Sequence, residues 1–192
     1  MESCCVRMCG AALHLEANSG ALRIQWRKAA GRSCAPWSRA LRGRSADAQL
    51  LRVGVDLVRR WQRIGSVNTR VLRSLLPEAS AFTTACWLAA ATIPCGSTRT
   101  YAQLAVLVGR RGAARAAASA MARNPLPPLI PCHRVVARDG IGGFCGIAQR
   151  ARRHWAIRLK QALFLRERAH DPYTSTPSIG RTVRKSPQRS HA

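Results

Sequence analysis

The sequence predicts an α+β protein, with a small N-terminal β-sheet domain followed by a mainly α domain that contains a helix-turn-helix. Three observations lead to this prediction: a hairpin pattern near the N-terminus, helical spacing of apolar residues after residue 77, and two short helices joined by a glycine-flanked turn. The apolar fraction of 47% is sufficient for a packed core. We divide the 192 residues into 1–77, 78–170 and a tail, 171–192.

The hairpin is the clearest element of residues 1–77. Its strands are predicted at 12–16 and 21–26, and Asn18-Ser19-Gly20 supplies the turn conformations that a hairpin needs. Apolar residues alternate with polar ones along the second strand, as in a half-buried strand: Leu22, Ile24 and Trp26. A helix is also predicted here, at 46–61.

Three helices are predicted after residue 77. The first has apolar residues at helical spacing from Phe82 to Ala90 and should end before Pro94. Thr100 can cap the second, which Gly109 closes, and the third runs over 113–123. The last two, joined by a tight turn, indicate a helix-turn-helix, and an ordinary helical hairpin is the alternative.

The segment before Cys132 should be stiff. It contains four prolines, each of which fixes φ and disfavours a helix: Pro125, Pro127, Pro128 and Pro131. We therefore expect an extended strap that delivers Cys132 to a defined position.

Charge indicates a polyanionic partner. The formal net charge is +24, from 32 basic and 8 acidic residues, and such self-repulsion is tolerable beside a polyanion or when the charge sits on tails. Nucleic acid is the first expectation, and ribosomal and membrane-surface proteins are the alternatives. The tail is rich in Ser, Thr, Pro and Arg and is expected to be disordered.

The cysteines indicate a reducing compartment. None of the eight shows the C-x-x-C spacing of zinc ribbons or thioredoxins, and the N-terminus lacks a signal-peptide pattern. No apolar run approaches the roughly 20 residues of a membrane span. We expect reduced thiols in a cytoplasmic protein without membrane association. Zinc at Cys4, Cys5, Cys9 and His14 is disfavoured by their loose spacing, so no metal is predicted.

Cys132 and His133 are the sharpest chemical pair. A cysteine attacks as thiolate, and a neighbouring histidine or cation such as Arg134 lowers its pKa. Adjacent Cys-His also arises by chance with a structural role. A catalytic pair needs a third group to orient the imidazole, and Glu167, on an apolar-periodic stretch, is the carboxylate suited to it.

The span from Phe82 to Glu167 resembles the C-terminal domain of the O6-alkylguanine-DNA alkyltransferases. An ordered series of motifs carries the resemblance: Ile93-Pro94-x-Gly96, Thr98-Arg99-Thr100-Tyr101, Ala113-Ala114-Arg115-Ala116, Ala122-Arg123-Asn124-Pro125-Leu126-Pro127, Ile130-Pro131-Cys132-His133-Arg134-Val135-Val136, Asp139-Gly140 and Gly142-Gly143-Phe144. The N-terminal hairpin is faintly similar to the family's small β domain. The resemblance therefore implies a degenerate ribonuclease-H-like sheet domain and a winged-helix-like second domain.

The resemblance implies a role for each catalytic position. Cys132 would accept the alkyl group, His133 would take its proton through a water, and Glu167 would polarise that histidine. Tyr101 would help to rotate the target phosphate and protonate the leaving guanine. Asn124 would brace the turn that holds the cysteine.

DNA and substrate contacts are implied in the same way. Arg115 would intercalate from a recognition helix that enters the minor groove, and this helix is nearly all alanine, so its backbone can approach DNA closely. The other DNA contacts expected are Ala114, Thr100, Tyr101 and Arg134. The guanine pocket would be lined by Phe144, Gly143 and Val135.

The implied activity is DNA repair. The chain would flip O6-alkylguanine out of duplex DNA and transfer the alkyl group irreversibly to Cys132, once per molecule. O4-alkylthymine is a second candidate substrate, which the sequence leaves open. No cofactor is expected, and the protein should act as a monomer on double-stranded DNA. One alternative is a non-catalytic damage sensor of the same fold, although such relatives lack the cysteine. A plain basic nucleic-acid-binding protein is another, which leaves the Cys-His-Arg context unexplained.

The sequence departs from the family pattern after Gly146. The family's glutamate usually follows the cysteine by about 27 residues, which is Leu159 here, whereas the helix pattern reappears around Lys160 and Glu167. An insertion of eight residues in the basic run 149–155 accounts for this. A surface loop that touches phosphate is the favoured interpretation, and a change in the alkyl groups accepted is the alternative. Milder departures are Cys95, Ala118 and Cys145, of which the last is a second thiol for which a structural role is favoured.

Overall fold

A computed structural model describes residues 2–9, 11–28, 44–148, 151 and 153–169. The predicted tail, 171–192, and three residues of the basic run, Gln149, Arg150 and Arg152, lie outside the described residues. The elements along the chain are β1 (Glu2–Met8), β2 (Ala11–Asn18), β3 (Ala21–Lys28), α1 (Ala46–Ile64), α2 (Thr69–Ser74), α3 (Ala81–Ala91), β4 (Arg99–Thr100), α4 (Tyr101–Leu107), α5 (Ala114–Ala122), a 3₁₀ turn (Cys132–Arg134), β5 (Val135–Val136) and α6 (Trp155–Ala169). This is the mixed α and β structure that the sequence predicts.

The N-terminal strands form one antiparallel sheet in the order β1-β2-β3. The predicted hairpin is confirmed as β2 and β3, which pair in the register Leu15↔Ile24 around a turn at Ser19 and Gly20. β1 is an additional strand, paired with β2 in the register Cys5↔His14. Cys5 is disulfide-bonded, which corrects the expectation that all the thiols are reduced.

Helix α1 covers one face of this sheet. The predicted helix is confirmed and extends three residues further, from the Ser45 cap to Gly65, which ends it at a φ of 69°. A Cβ at Gly54 would come within 2.9 Å of a methyl group of Leu22. The absence of a side chain at Gly54 therefore lets helix and sheet approach closely.

Helices α3, α4 and α5 pack together after residue 80. Helix α4 begins with a capping box, in which Thr100 and Gln103 each bond the other's backbone N–H. The indole N–H of Trp87, on α3, donates to the carbonyl of Ala120 over 2.8 Å. This bond and the burial of Ala117 fix which face of α5 points inward, so Arg115 is left on the exposed face.

The proline-rich segment is folded rather than extended, which corrects the predicted strap. Asn124 causes the difference: its side-chain oxygen accepts from the Leu126 N–H at 3.0 Å, and its amide donates to the Ile130 carbonyl at 2.7 Å. Ile130 N–H also bonds the Leu126 carbonyl, at 2.9 Å. The stiffness of the prolines is thus used in a compact turn that precedes Cys132.

The two halves of the described chain share one hydrophobic core. At the edge of the sheet, the Ile24 N–H donates to the Pro125 carbonyl over 2.9 Å. Strands β4 and β5 form a separate parallel pair that brings Arg99 beside Val135. None of the described helices combines the length and apolar character needed to cross a membrane.

Candidate functional site

Cys132 lies at the start of the 3₁₀ turn, directly after the compact proline turn. Its side chain is buried, and its sulfur accepts a hydrogen bond from the Asn124 amide at 3.1 Å. Burial raises the pKa of the Cys132 thiol, while the Asn124 bond and the positive charge of Lys160 oppose this rise. At rest the thiol is therefore protonated, and its reaction requires a group that can take the proton.

His133 is the neighbouring base and is also fully buried. Its Nε2 lies 2.7 Å from Oε1 of Glu167, although 34 residues separate them. Its ring makes a T-shaped contact with the ring of Trp61: the two ring planes are 89° apart and the ring centroids are 5.7 Å apart. The structure thus contains the His133–Glu167 contact that the eight-residue insertion required.

Glu167 is held ionised inside the protein. Burial opposes its ionisation, but hydrogen bonds from His133 and Arg134 outweigh that effect and lower the pKa of Glu167 to about 2. The Gly96 N–H adds a longer bond, at 3.3 Å. An ionised carboxylate only accepts hydrogen bonds, so the Nε2 of His133 must carry the proton that it donates.

The tautomer of His133 follows from this contact. Burial lowers the pKa of His133, so the ring is neutral, and with the proton on Nε2 the lone pair lies on Nδ1. Nδ1 has no hydrogen-bond partner among the described residues. A buried neutral imidazole whose free nitrogen is a proton acceptor is the arrangement that a general base needs.

Arg134 is a structural residue, which corrects its predicted contact with DNA. Its side chain is completely buried. The guanidinium bonds Glu167 at 2.7 Å, the Ile93 carbonyl at 2.6 Å and the Gly65 carbonyl, so it joins α6 to the ends of α3 and α1. No part of it is left to reach a phosphate.

A cavity of about 190 Å³ lies above the cysteine. It is lined by Tyr101, by Cys132, by the loop 143–148 and by three residues of α5: Ala118, Met121 and Ala122. The predicted pocket residues Phe144 and Gly143 line it, whereas Val135 does not. Val135 is fully buried, and its carbonyl accepts a hydrogen bond from Lys160 at 2.6 Å.

Tyr101 faces the same loop. Its hydroxyl lies 3.4 Å from the Gly143 carbonyl, to which it donates. Burial, together with the negative charge that Cys132 carries when it ionises, raises the pKa of Tyr101 to about 12. The phenol therefore keeps its proton at neutral pH and can act as a donor in the cavity.

Lys160 is a site residue that the sequence indicates only as part of the apolar pattern of α6. Its ammonium group is buried and bonds two carbonyls, those of Val135 at 2.6 Å and Gly143 at 3.0 Å. Burial lowers its pKa to about 8, although Cys132 and Cys145 act in the opposite direction. The signal for this role is a lysine on the apolar face of α6, three residues before Leu163 and four before Phe164.

Of the predicted DNA-contacting residues other than Arg134, Tyr101 lines the cavity, and the other three lie on α5 or at the start of α4. Arg115 is exposed on α5, Ala114 is half-buried at its start, and Thr100 caps α4. The Thr100 hydroxyl is occupied by the Gln103 N–H at 3.1 Å. Arg115 thus remains available for contact with a partner, while Thr100 serves mainly to begin a helix.

The fold and the site together define a mainly helical domain built around a buried cysteine. Residues 81–169 match the family model described as 6-O-methylguanine DNA methyltransferase, DNA binding domain. These residues, somewhat less than half of the chain, are thus similar to that family.

Several curated proteins are similar to the chain. The regulatory protein Ada of Salmonella typhimurium is 41% identical over 110 residues, which are 55% of this chain and 29% of Ada. The methylated-DNA–protein-cysteine methyltransferase of the same bacterium is 44% identical over 80 residues, 41% of this chain and 46% of that protein. Its namesake from Mycolicibacterium paratuberculosis is 39% identical over 100 residues, 52% of this chain and 55% of that protein. The chain thus spans about half or less of these relatives.

Solved structures share the fold. The crystal structure of Mycobacterium tuberculosis OGT in complex with DNA superposes with a TM-score of 0.58 and 24% identity, covering 88% of this chain and 94% of that one. O6-methylguanine-DNA methyltransferase from the archaeon Pyrococcus kodakaraensis gives a TM-score of 0.54 at 22% identity, covering 83% and 98%. These likenesses extend beyond the 81–169 span, because that span alone would not supply 88% and 83% of the chain.

Proposed function

We propose that this protein repairs alkylated DNA by transferring the alkyl group of O6-alkylguanine to its own Cys132. The observation that carries this proposal is the hydrogen-bonded set under the cavity, in which Asn124 contacts the sulfur and Glu167 fixes the tautomer of His133. The similarity of residues 81–169 to the 6-O-methylguanine DNA methyltransferase family supports the choice of substrate. The names of the curated relatives agree with it.

Activation of the cysteine begins with the proton on its sulfur. Nδ1 of His133 accepts this proton through an intervening water, and Glu167 stabilises the imidazolium that forms. Asn124 and the positive charge of Lys160 stabilise the thiolate. General-base assistance of this kind contributes roughly 10²- to 10⁴-fold to a rate.

The transfer is a displacement at carbon. The Cys132 thiolate attacks the alkyl carbon, an S–C bond forms as the C–O6 bond breaks, and the electron pair leaves with guanine. Tyr101 supplies a proton to the departing guanine and is reprotonated from His133, so the thiol proton ends on the base. The thioether is stable, and each molecule therefore reacts once.

Access to O6 requires that the nucleotide leave the base stack. We place duplex DNA along the exposed face of α5, where alanines let the backbone approach the minor groove and Arg115 fills the gap left by the flipped base. Tyr101 lies between this face and the cavity, which suits a role in turning the phosphate. The helix-turn-helix assignment of α4 and α5 belongs to the same proposal.

The alternative function is a damage sensor that binds the lesion without reacting. One observation favours it: burial raises the pKa of Cys132, so the thiol is unreactive unless His133 takes its proton. The two functions differ in whether a covalent product forms.

The deciding experiment uses an oligonucleotide duplex that contains O6-methylguanine. After mixing with the full chain, intact-mass analysis should show the gain of one methyl group, located on Cys132 by peptide mapping. Cys132→Ala should bind the damaged duplex and gain no mass, while Cys145→Ala, a matched change at a thiol in the same cavity, should react. Tight binding with no methyl gain in the unaltered protein would establish the sensor instead.

Further parts of the proposal concern range and setting. Repair of O4-alkylthymine, action as a monomer without a cofactor and location in the cytoplasm are included in it. So are a degenerate ribonuclease-H-like identity for β1–β3, a winged-helix-like arrangement of the later helices and a domain boundary near residue 77. The similarity of the overall fold to alkyltransferase structures supports the two statements about architecture.

A further inference from the structure

A second cavity, of about 410 Å³, adjoins the one above Cys132. Two residues, Ala122 and Cys145, line both cavities, so the two spaces are neighbours. Asn124 also lines the second cavity, and its amide lies 3.1 Å from the Cys132 sulfur. A group attached to the reacting carbon that passed Asn124 would enter this space, whose volume falls in the range of small-molecule sites, roughly 300–1,000 Å³.

The walls of the second cavity combine apolar surface with two positive charges. Trp26, Pro125 and Pro127 supply apolar surface, while Arg23 from β3 and Arg123 from the end of α5 supply the charges. In the described part of the chain, neither arginine forms an ion pair with a carboxylate. Among the described residues, the Arg123 side chain donates to a neutral group, the Ser119 hydroxyl, at 2.6 Å.

The edge of β3 adds a donor to this cavity. Ile24 uses its N–H outward, toward Pro125, and N–H groups two residues apart on a strand point to the same side. The N–H of Trp26 therefore also points out of this edge, where Trp26 lines the cavity. Two guanidinium groups and a backbone N–H form an environment for an anion. No carboxylate is among the described residues that line this cavity.

We propose that the second cavity binds an anionic substituent on the alkyl group, so that the protein prefers O6-alkylguanines carrying a carboxylate, such as O6-carboxymethylguanine. This inference rests on the proposed function, because it concerns the group that Cys132 accepts. Arg23 and Arg123 act as specificity residues: they hold the carboxylate, while the carbon bound to O6 remains beside the sulfur.

The reaction with such a substrate keeps the chemistry already described. The thiolate forms an S–C bond to the CH₂ carbon, the C–O6 bond breaks, and guanine leaves with the electron pair and a proton. Cys132 becomes S-carboxymethylcysteine, whose carboxylate stays between the arginines. No oxidant, reductant or further reactant is needed.

A phosphate of the DNA backbone is the other anion that these arginines can bind. The two sources differ in what they depend on: a phosphate contact strengthens binding of every duplex, whereas a carboxylate contact matters only for the charged adduct. Neutral and charged adducts of equal size therefore distinguish them.

The test compares three duplexes, carrying O6-methylguanine, O6-carboxymethylguanine and its neutral isostere O6-carbamoylmethylguanine. Transfer to the full chain is followed under single-turnover conditions by intact mass. The carboxymethyl group should transfer faster than the carbamoylmethyl group by at least about fivefold. Arg23→Gln and Arg123→Gln should each remove most of this ratio, roughly threefold to fivefold, the scale of a solvent-exposed ion pair, with the methyl rate unchanged in Arg23→Gln. Arg60→Gln, at an exposed arginine of α1 that lines neither cavity, should keep the full ratio.

The outcomes separate the two levels of inference. Absence of methyl transfer by the unaltered protein would refute the proposed function itself. Methyl transfer with equal rates for the charged and neutral adducts would leave that function intact and overturn the anionic cavity. Equal slowing of all three substrates by Arg23→Gln, with weaker binding of undamaged duplex, would also overturn it and assign the arginines to a phosphate.

Discussion

At the scale of single residues, the Glu167 carboxylate carries two functions that cannot be separated by removing it. It accepts from His133 at 2.7 Å and from Arg134 at 2.7 Å through the same oxygen. One bond fixes the tautomer of the base, and the other neutralises a guanidinium with no access to solvent. A change at this position therefore acts on the rate of transfer and on the stability of the fold together.

Replacing Glu167 by Gln tests this double role. The amide oxygen can still accept from Nε2, so His133 keeps its orientation, but the imidazolium loses its counter-charge and we expect transfer at least about tenfold slower. Affinity for damaged duplex should change little. A buried Arg134 without a carboxylate should also lower the free energy of unfolding by roughly 3 kcal/mol.

The measurements are single-turnover kinetics at a temperature where the variant is folded, and denaturant unfolding. Glu78→Gln, at an exposed carboxylate, serves as the matched control and should leave both quantities unchanged. Normal transfer by the Glu167 variant would mean that the insertion is misplaced and that another group supports His133.

At the scale of elements, the loop 143–148 depends on a glycine with no unusual φ. A Cβ at Gly143 would lie 2.7 Å from the Ile147 carbonyl oxygen, a backbone atom that is itself held by the paired bonds between Phe144 and Ile147. The carbonyl of Gly143 also accepts hydrogen bonds from the Lys160 ammonium group and the Tyr101 hydroxyl. The loop can therefore approach itself closely only with hydrogen at this position.

Gly143→Ala should displace the loop and with it one wall of the cavity. We expect a loss of about 1–3 kcal/mol in unfolding free energy and slower transfer of methyl groups, because Tyr101 and Phe144 lose their places. Gly20→Ala is the matched control: its φ of 79° makes alanine strained, but a Cβ there meets nothing within 4 Å. It should destabilise by about 1 kcal/mol without slowing transfer. Equal kinetic effects in the two variants would refute a specific role for the loop.

The elements that the sequence predicts well are those with local signals. The β2–β3 turn, the start of α1, the end of α3 before Pro94 and the Thr100 cap of α4 each depend on residues within a few positions of one another. The sequence does not predict β1, because the turn that connects it to β2 places Cys9 at a φ of 51°. A residue other than glycine gives no indication of that conformation in the sequence. The proline turn was misjudged because its shape is set by the two side-chain bonds of Asn124 rather than by the prolines.

The site shows the same division. Glu167 could be found because its helix pattern survives the insertion, and Cys132 because its neighbours are distinctive. Arg134 could not be assigned from the sequence, since its carbonyl partners Gly65 and Ile93 lie 69 and 41 residues away. Trp61, which meets the edge of the His133 ring, is equally distant from any motif.

At the scale of the whole molecule, stability should fall with acid in two windows. His133 has a pKa below its usual 6.5 in the folded state, so its contribution is complete above pH 6.5 and is lost as the pH falls through the folded value. Glu167 has a pKa of about 2 instead of 4.5, so its contribution is complete above pH 4.5 and is lost towards pH 2. The second loss is on the order of 3 kcal/mol, from a difference of about 2.5 pH units at 1.36 kcal/mol each.

Denaturant unfolding at constant ionic strength, from pH 7 to pH 2.5, measures both windows. Protonation of the other carboxylates raises the net positive charge and destabilises every variant, so the comparison is between Glu167→Gln and Asp56→Asn, at an exposed carboxylate. Only the Glu167 variant should lose the steep part below pH 4.5. An unchanged slope in that variant would show that the carboxylate is not held ionised by His133 and Arg134.

The hydrogen bond from Arg134 to Gly65 and the ring contact between His133 and Trp61 have a practical consequence for the design of shortened or fused versions of this chain. The matched family segment begins at residue 81, yet the last turn of α1 and the residue after it complete the environment of His133 and of the buried Arg134. A minimal fragment cut at the family boundary would expose both groups to water and lose the packing that holds the imidazole. A fragment that keeps the site intact should therefore start upstream of α1. We also expect that a fused module or a mutation on α1 would change the reactivity of the cysteine.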